Sequence, residues 1–258
     1  MLKDSLGGDQ ARYYAVPVLA VLLALGILAA HANKSVFLLF NGLGSLTGDT
    51  LWANWTLLGD AWVALVLLLP FVGRRPGLVW AAVVTAVIAG VAVPLLKNLF
   101  AMPRPPAVLA ADLIHIIGPA YKSRSFPSGH TTTAFVLAGV LSLHFRPYWI
   151  MVVSVIIAAG VGVSRMAVGV HWPLDVTVGA ALGWLCAIAG SYGAARWRWG
   201  ESLAGQRVIA VLLTLAALGL LFFFKEYAPL AAVLPKGVAI LALLGAAPGL
   251  LRLWRGRA

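Results

Sequence analysis

Eight long apolar runs follow one another along this chain, and they constrain its fold more than any other feature. A helix that crosses a bilayer needs roughly 20 mainly apolar residues, and lipid offers no hydrogen-bond partner to an unpaired backbone. The sequence therefore predicts an all-α, polytopic transmembrane helical bundle. The runs cover approximately residues 15–30, 57–73, 77–100, 130–145, 149–169, 173–194, 207–224 and 237–251.

Composition supports one integral membrane domain over residues 1–258. The chain is 62% hydrophobic and 10% charged, whereas soluble domains carry roughly a quarter charged residues. The net charge of +11 sits mostly in short connectors, where basic residues set topology, so nucleic acid is not an expected partner. The single cysteine, Cys186, lies in an apolar run and is interpreted as a buried hydrophobic residue.

Basic residues divide unequally between the two predicted sides of the membrane. The larger set is expected in the cytoplasm, which places both termini there and leaves residues 15–30 as an uncleaved first helix. The larger set comprises Lys3, Arg12, Arg74, Arg75, Arg146, Arg196, Arg198, Arg207, Arg252, Arg255 and Arg257. The outer set comprises Lys34, Lys97, Arg104, Lys122, Arg124, Arg165, Lys225 and Lys236.

Two stretches between the runs are polar enough to need a separate interpretation. Residues 35–56 are amphiphilic and rich in Gly, Asn and Trp, which is typical of a segment along the membrane interface. Residues 101–129 form the longest polar insertion and contain five prolines. Loops of that length inside compact domains are usually functional or disordered.

Three polar clusters lie at predicted outer helix ends and indicate an anion site. Lys97, Arg104 and Arg165 would bring three positive charges to one membrane face, and guanidinium groups bind tetrahedral oxyanions through paired hydrogen bonds. Ser128 precedes an apolar run as a natural N-cap, and Gly129 allows a ligand close to the backbone. The free N–H groups of that helix start favour phosphate.

Two histidines near these cations suggest an acid–base pair. His171 and Asp175 are four residues apart, a spacing that lets a carboxylate fix the imidazole tautomer and stabilise its cationic form, as in catalytic triads. His171 is therefore the candidate nucleophile. His130 lies on the first turn of the helix that Ser128 is predicted to cap, and it has no partner nearby in sequence. It is the candidate proton donor to a leaving oxygen.

Each of these residues also has a structural explanation when it is taken alone. Lys97 and Arg104 could extend their charged ends to the interface, Ser128 could be only a helix cap, and Asp175 could pair with an arginine. The joint pattern, in order and on one side, favours the catalytic interpretation. Lys122 and Arg124 lie between the first two clusters and are candidates for contacts to a second phosphate or a headgroup.

The three clusters together resemble the signature of the type 2 phosphatidic acid phosphatase superfamily. Lys97-x6-Arg104-Pro105, Pro127-Ser128-Gly129-His130 and Ser164-Arg165-x5-His171-x3-Asp175 match it without a departure over residues 97–175. The resemblance implies a six-helix core, no metal and no cofactor, a phosphohistidine on His171 supported by Asp175, and protonation of the leaving group by His130. It assigns phosphate binding to Lys97, Arg104, Ser128, Gly129 and Arg165.

The resemblance also bounds the function. It implies a core over 1–200 and an additional helical hairpin over 201–258, in a bacterial inner membrane. The unequal division of basic residues predicts that the site faces outward. The expected activity is hydrolysis of a membrane lipid phosphate. Candidates are undecaprenyl diphosphate, which we favour, phosphatidylglycerophosphate, phosphatidic acid and lipid A phosphates. Two alternatives remain: a phosphotransferase that passes the phosphoryl group to another lipid, and a transporter of anions or lipids.

Overall fold

The computed structural model describes residues 10–225, 227 and 229–255, with side chains from Tyr13 onward. Lys3, the side chain of Arg12, Arg257 and the two chain ends, which the topology prediction uses, lie outside the described residues. The described part forms eleven α-helices. They are α1 Gln10–Ala29, α2 Asn33–Thr47, α3 Asp49–Leu57, α4 Ala61–Val66, α5 Pro76–Phe100, α6 Pro105–Val108, α7 Gly129–His144, α8 Tyr148–Ala167, α9 Pro173–Arg196, α10 Leu203–Phe222 and α11 Val233–Trp254. Three short 3₁₀ turns cover Leu69–Phe71, Ala111–Leu113 and Trp199–Glu201.

The all-helical membrane architecture predicted from the apolar runs is confirmed. Five helices of the described chain, α5 and α8 to α11, are long and apolar enough to cross a membrane. The number rises to seven if two bent pairs, α1 with α2 and α3 with α4, each count as one span. Many large apolar side chains on the outside of the bundle are exposed, as lipid-facing residues of an integral membrane protein are.

Helix α9 lies at the centre of the bundle and packs against α7, α5 and α1. Trp184 on α9 is fully buried and its indole donates to the backbone carbonyl of Tyr13, at 2.6 Å. Close packing of α9 and α7 depends on a small residue, because a Cβ on Gly179 would lie 2.9 Å from the Ser128 carbonyl oxygen. Small residues at such crossings let two membrane helices approach closely. The approach holds the start of α7 against the start of α9.

The apolar run at 57–73 is not one continuous helix, so that part of the prediction is wrong. Helix α3 ends at Leu57, and Asp60 starts α4 as an N-cap that accepts from the amides of Trp62 and Val63 at 2.8 and 3.2 Å. Helix α4 ends at Val66, and the two helices are bent by 55°. A capping carboxylate satisfies helix-start amides that a continuous helix would not leave free, so Asp60 divides the run. The amphiphilic segment 35–56 forms α2 and α3.

The last two helices form a hairpin. Helices α10 and α11 pack against each other, and both contact α4 and the 3₁₀ turn at Leu69–Phe71. The connector between them includes Tyr227, which is buried among residues of α3 and of the loop before α9. A division of the chain into a core over 1–200 and a hairpin over 201–258 stays a prediction.

Candidate active site

Four helix ends meet at one end of the bundle, where the three sequence clusters come together. The C-terminal ends of α5 and α8 carry Lys97 and Arg165, and the N-terminal ends of α7 and α9 carry His130 and Asp175. Arg104 reaches the same place from the insertion between α5 and α7. Consecutive helices alternate in direction, so the chain brings these ends to one side. The amide of Ser128 donates to the Asp175 carbonyl at 3.0 Å, which joins two clusters directly.

His171 and Asp175 form a buried pair with the predicted i, i+4 geometry. The Nδ1 atom of His171 lies 3.1 Å from Oδ2 of Asp175, and both side chains are 2% exposed. The carboxylate also accepts from the Trp172 amide at 2.8 Å and from the Ser125 hydroxyl at 2.5 Å. Asp175 is therefore both the cap of α9 and the partner of the imidazole. Three donors on one oxygen hold the carboxylate in a single orientation.

The neighbours of His171 determine which ring nitrogen carries the proton. Arg104 places Nη1 3.1 Å from Nε2 of His171. A guanidinium can only donate, so Nε2 is the acceptor and has its lone pair free of a proton. The proton then lies on Nδ1, which donates to Asp175. This tautomer presents an unprotonated Nε2 among positive charges, as a nucleophile toward phosphorus requires.

The surroundings of His171 keep it neutral. Burial lowers the pKa of the His171 imidazole well below its ordinary value, and the positive charges of Arg104, Arg165 and Lys97 lower it further. A second proton on this ring would bring a fourth positive charge into the site. The neutral form, which is the nucleophilic one, therefore persists to lower pH than in a free imidazole.

Lys97 and Arg104 are held by backbone carbonyls of the insertion. Lys97 Nζ donates to the carbonyl of Arg124 at 2.7 Å, and Arg104 Nε donates to the carbonyl of Ser123 at 2.8 Å. Neither forms a salt bridge with a carboxylate among the described residues, so their charge remains available to an anion. The side chains of Lys122 and Arg124 are exposed. The Arg124 carbonyl accepts from Lys97, and the Lys122 carbonyl accepts from the backbone amide of Arg104 at 3.0 Å. A headgroup role for their side chains stays a prediction.

Arg165 is the most buried cation of the site, at 2% exposure. Its Nη1 donates to the hydroxyl of Thr56 at 2.5 Å and to that of Tyr227 at 3.0 Å. Its Nε is buried and finds no hydrogen-bond partner in the described part of the chain. A buried charged donor without a partner is costly, and such exceptions call for an explanation. A bound oxyanion would supply the missing acceptor.

The N-cap predicted at Ser128 is confirmed, and His130 follows it. The Ser128 hydroxyl accepts from the amide of Thr131 at 3.4 Å and from its hydroxyl at 2.9 Å. His130 Nε2 is buried and, within the described residues, has no hydrogen-bond partner. The positive charges of Arg165, Arg104 and Lys97 act on this ring as they do on His171. Both histidines therefore lie in the field of the same three cations.

An apolar groove of about 420 Å³ adjoins His130 and runs between α4, α5 and α7. A Cβ built on Gly129 would have Val93 as its nearest neighbour, at 3.8 Å, so this glycine leaves space at the groove. The groove includes Gly90 and Pro94, which are exposed on the outer face of α5. It therefore joins the polar site to the lipid-facing surface.

The sequence did not point to three residues that contact the site: Ser125, Thr56 and Tyr227. Ser125 is next to the second cluster, but a serine in a loop carries no pattern of its own. Thr56 and Tyr227 are 109 and 62 positions from Arg165. The described residues contain no group of three His, Cys, Asp or Glu side chains that could hold a metal ion.

Comparison with known proteins shows the family of this region. The family model described as PAP2 superfamily matches residues 78–199. The crystal structure of Aquifex aeolicus LpxE is 35% identical, with a TM-score of 0.56 over 61% of this chain and 93% of that chain.

Two curated relatives match locally. A lipid A 1-phosphatase of Porphyromonas gingivalis is 41% identical over 63 residues, which are 24% of this chain and 14% of the relative. An undecaprenyl-diphosphatase of Sulfolobus acidocaldarius is 40% identical over 70 residues, which are 27% of this chain and 33% of the relative. This chain thus spans at most a third of the length of either relative.

Proposed function

The chain belongs to the PAP2 superfamily, and from this premise we propose that it is a lipid phosphate phosphatase acting through a phosphohistidine on His171. The observation that carries the proposal is the position of the His171 ring between the Asp175 carboxylate and the Arg104 guanidinium. Its Nδ1 proton is directed to Asp175, while its unprotonated Nε2 lies 3.1 Å from an Arg104 nitrogen. When a substrate binds, a phosphate oxygen would replace Nε2 as the hydrogen-bond acceptor of Arg104. The phosphorus would then lie next to the unprotonated Nε2.

The proposed reaction has two steps. In the first, the lone pair of His171 Nε2 forms a bond to phosphorus and the bond from phosphorus to the leaving oxygen breaks. His130, which is protonated once the bound anionic phosphate offsets the three cations, gives that oxygen its proton. In the second, His130 takes a proton from water, the water oxygen bonds to phosphorus, and the nitrogen–phosphorus bond breaks. Inorganic phosphate leaves and both rings return to their first state. Cations at Lys97, Arg104 and Arg165 stabilise the charge on the transferring oxygens.

The apolar groove supports a lipid as the substrate. It begins at Gly129 and His130, beside the group that would protonate the leaving oxygen, and opens at Gly90 and Pro94. A lipid whose phosphate lies between Lys97, Arg104 and Arg165 would then have its apolar chain in the groove. Water-soluble phosphate esters would leave the groove empty. Burial of the chain contributes roughly 0.8 kcal/mol per CH₂ group. The enzyme should therefore prefer amphiphilic phosphates.

The proposed orientation puts the site on the outer side of the cytoplasmic membrane. The opposite end carries Arg74, Arg75, Arg146 and Arg198 in connectors and Arg196 at the end of α9. This fits the excess of basic residues on the cytoplasmic side. A cysteine at exposed Lys122 should react with an impermeant thiol reagent in intact cells, and one at exposed Arg74 should not. Native Cys186 is buried and serves as the background. If only the Arg74→Cys variant were labelled, the proposed orientation would be wrong and the site would face the cytoplasm.

Undecaprenyl diphosphate is the substrate that we favour. Outward placement suits a lipid carrier that is recycled there, and a relative from Sulfolobus acidocaldarius is named undecaprenyl-diphosphatase. A lipid A phosphate is the second candidate, because another relative is named lipid A 1-phosphatase. Release of inorganic phosphate from a panel of purified lipid phosphates in nanodiscs distinguishes the two. We expect the highest kcat/KM for undecaprenyl diphosphate, and EDTA should leave the rate unchanged.

The same assay separates the hydrolase from its alternatives. His171→Ala should abolish phosphate release, whereas His144→Ala should behave as wild type, because His144 lies at the far end of α7 and donates to its own helix at Val140. Release that survives in His171→Ala would rule out the phosphohistidine. Complete loss of release with lipid binding retained would exclude transport as the main role. A labelled donor whose phosphate appears on an acceptor lipid, with none free in solution, would identify a phosphotransferase.

A further inference from the structure

Arg165 donates to two hydroxyl groups whose residues lie outside the region that the family model matches. Nη1 of Arg165 has two hydrogens, and these are directed to Thr56 at 2.5 Å and to Tyr227 at 3.0 Å. Thr56 belongs to α3 and Tyr227 to the connector of the α10–α11 hairpin. The family match covers only residues 78–199. Two segments, one before and one after the matched region, therefore meet on one guanidinium.

These two contacts determine which edge of the guanidinium remains free. A guanidinium has five N–H donors in a fixed planar fork. With Nη1 occupied, the remaining edge is formed by Nε and Nη2, which binds an oxyanion through two parallel hydrogen bonds. Nε of Arg165 is the buried atom that has no partner in the described chain. The hydroxyls thus leave the edge formed by Nε and Nη2 available to an oxyanion.

Tyr227 is itself fixed by its surroundings. The residue is 4% exposed and has a left-handed backbone, with φ of 57°. It belongs to a buried hydrophobic cluster that includes Leu57, Ile117 and Val170. Gly118 makes room for it, because a Cβ there would lie 2.5 Å from the ring atom Cε1. A non-glycine residue keeps a positive φ only when its surroundings determine it, so the hydroxyl has one position.

We propose that the α10–α11 hairpin takes part in catalysis through Tyr227, which is a positioning residue for Arg165. The inference rests on the proposed function, since the anion is taken to be the phosphate of the substrate. Tyr227 does not touch the phosphate. It restricts the guanidinium to the orientation that binds the transferring oxygens, and Thr56 does the same from the other side. The hairpin thus completes the anion site and is more than an added membrane anchor.

Tyr227→Phe tests this inference, because it removes one oxygen and keeps the buried ring. We expect kcat and kcat/KM to fall by a similar factor of about 10, the pattern of an interaction made in the transition state. Inhibition by orthovanadate should weaken by a comparable factor while the melting temperature stays near wild type. Tyr148→Phe is the matched control, because Tyr148 is exposed at the opposite end of the bundle, and it should change nothing.

A double mutant shows whether Tyr227 acts through Arg165. Residues that act as one unit are not additive, so Arg165→Lys with Tyr227→Phe should be no worse than Arg165→Lys alone. Thr56→Val should resemble Tyr227→Phe, and Thr56→Ser, which keeps the hydroxyl, should restore activity. Additive losses, or a Tyr227→Phe enzyme with wild-type kcat and vanadate inhibition, would overturn the positioning role.

The two proposals fail in different ways. If the wild-type protein cleaves lipid phosphates but Tyr227→Phe equals it, only the positioning role is wrong. If the wild type releases no phosphate from any lipid, vanadate binding measured by thermal stabilisation still tests the positioning of Arg165. A wild-type protein that neither cleaves lipid phosphates nor binds vanadate would overturn both.

Discussion

The two ends of the bundle use the same residue types in opposite ways. At the end opposite the site, Arg198 forms a salt bridge with Glu201 at 2.5 Å, and Arg196 lies 3.9 Å over the ring of Tyr192. Both arginines are exposed. At the site end, Arg165 is 2% exposed, has no carboxylate in a salt bridge, and leaves Nε without a partner in the described chain.

The difference shows that the chain keeps a buried cation without a carboxylate partner at the site end. Exposed and paired arginines satisfy their own charge, and an exposed salt bridge contributes roughly 0–1 kcal/mol. A buried, unpaired cation has no such compensation inside the protein. Such an arrangement persists at the site end because hydroxyls and carbonyls hold the cations in place, as they do for Arg104 through Ser123 and Val170. Substitutions at the two ends should therefore affect different properties, activity at one end and stability at the other.

The largest contrast is expected between the two acidic residues of the two ends. Asp175→Asn keeps the shape of the side chain but removes the charge that selects the tautomer of the neutral His171 ring. The same charge would stabilise the positive charge that the ring acquires when it is phosphorylated. We expect kcat to fall roughly 10³–10⁴-fold, as removal of triad carboxylate charge does elsewhere. Glu201→Gln breaks the salt bridge to Arg198 and should leave kcat unchanged. Both are compared by phosphate release with size-exclusion profiles as a folding check, and similar losses in the two variants would contradict the distinction.

Arginine-to-lysine substitutions give the next largest contrast. Arg165→Lys keeps the charge but loses the planar fork, so two-point binding of the phosphoryl oxygens is lost. We expect about a 10²-fold fall in kcat/KM, in the range found when one donor to a developing oxyanion is removed. Arg207 donates to the Leu253 carbonyl at the opposite end, at 3.0 Å, and Arg207→Lys should stay within about twofold. Equal effects would mean that Arg165 acts only as a point charge.

Ser125→Ala should give a smaller effect, because Ser125 acts on His171 only through Asp175. The hydroxyl donates to Asp175 Oδ2 at 2.5 Å, and two other donors still hold that oxygen after its loss. We expect about a 10-fold fall in kcat with KM little changed, measured by phosphate release. Ser142→Ala is the matched control, since the buried Ser142 hydroxyl bonds to its own helix at Ala138. A loss of activity in the control equal to that in Ser125→Ala would indicate general destabilisation.

Sequence reasoning reached the residues whose chemistry is local in the chain. The His171 and Asp175 pair follows from i, i+4 spacing and the Ser128 cap from its place before an apolar run, and the structure has both. The partners of Arg165 could not be found in this way, since long-range contacts leave no period in one sequence. The break at Asp60 was missed for another reason. A run that is apolar on average outweighs one capping residue, although Gly59 and Asp60 are an ordinary helix-start signal.

The smallest expected effect is on the pH dependence of activity. It compares the removal of one positive charge at the site with the removal of one at the opposite end. The positive charge of Lys97 contributes to the lowered pKa of His171, so Lys97→Gln should raise that pKa toward its ordinary value. The nucleophile then becomes protonated at a higher pH, and the acidic limb of kcat/KM, which reports the free enzyme, moves upward. Arg198→Gln, far from His171 and exposed, should leave the limb in place. Profiles are measured on one substrate so that its own titration cancels, and an unmoved or lowered limb in Lys97→Gln would mean that the cations of the site do not control the nucleophile.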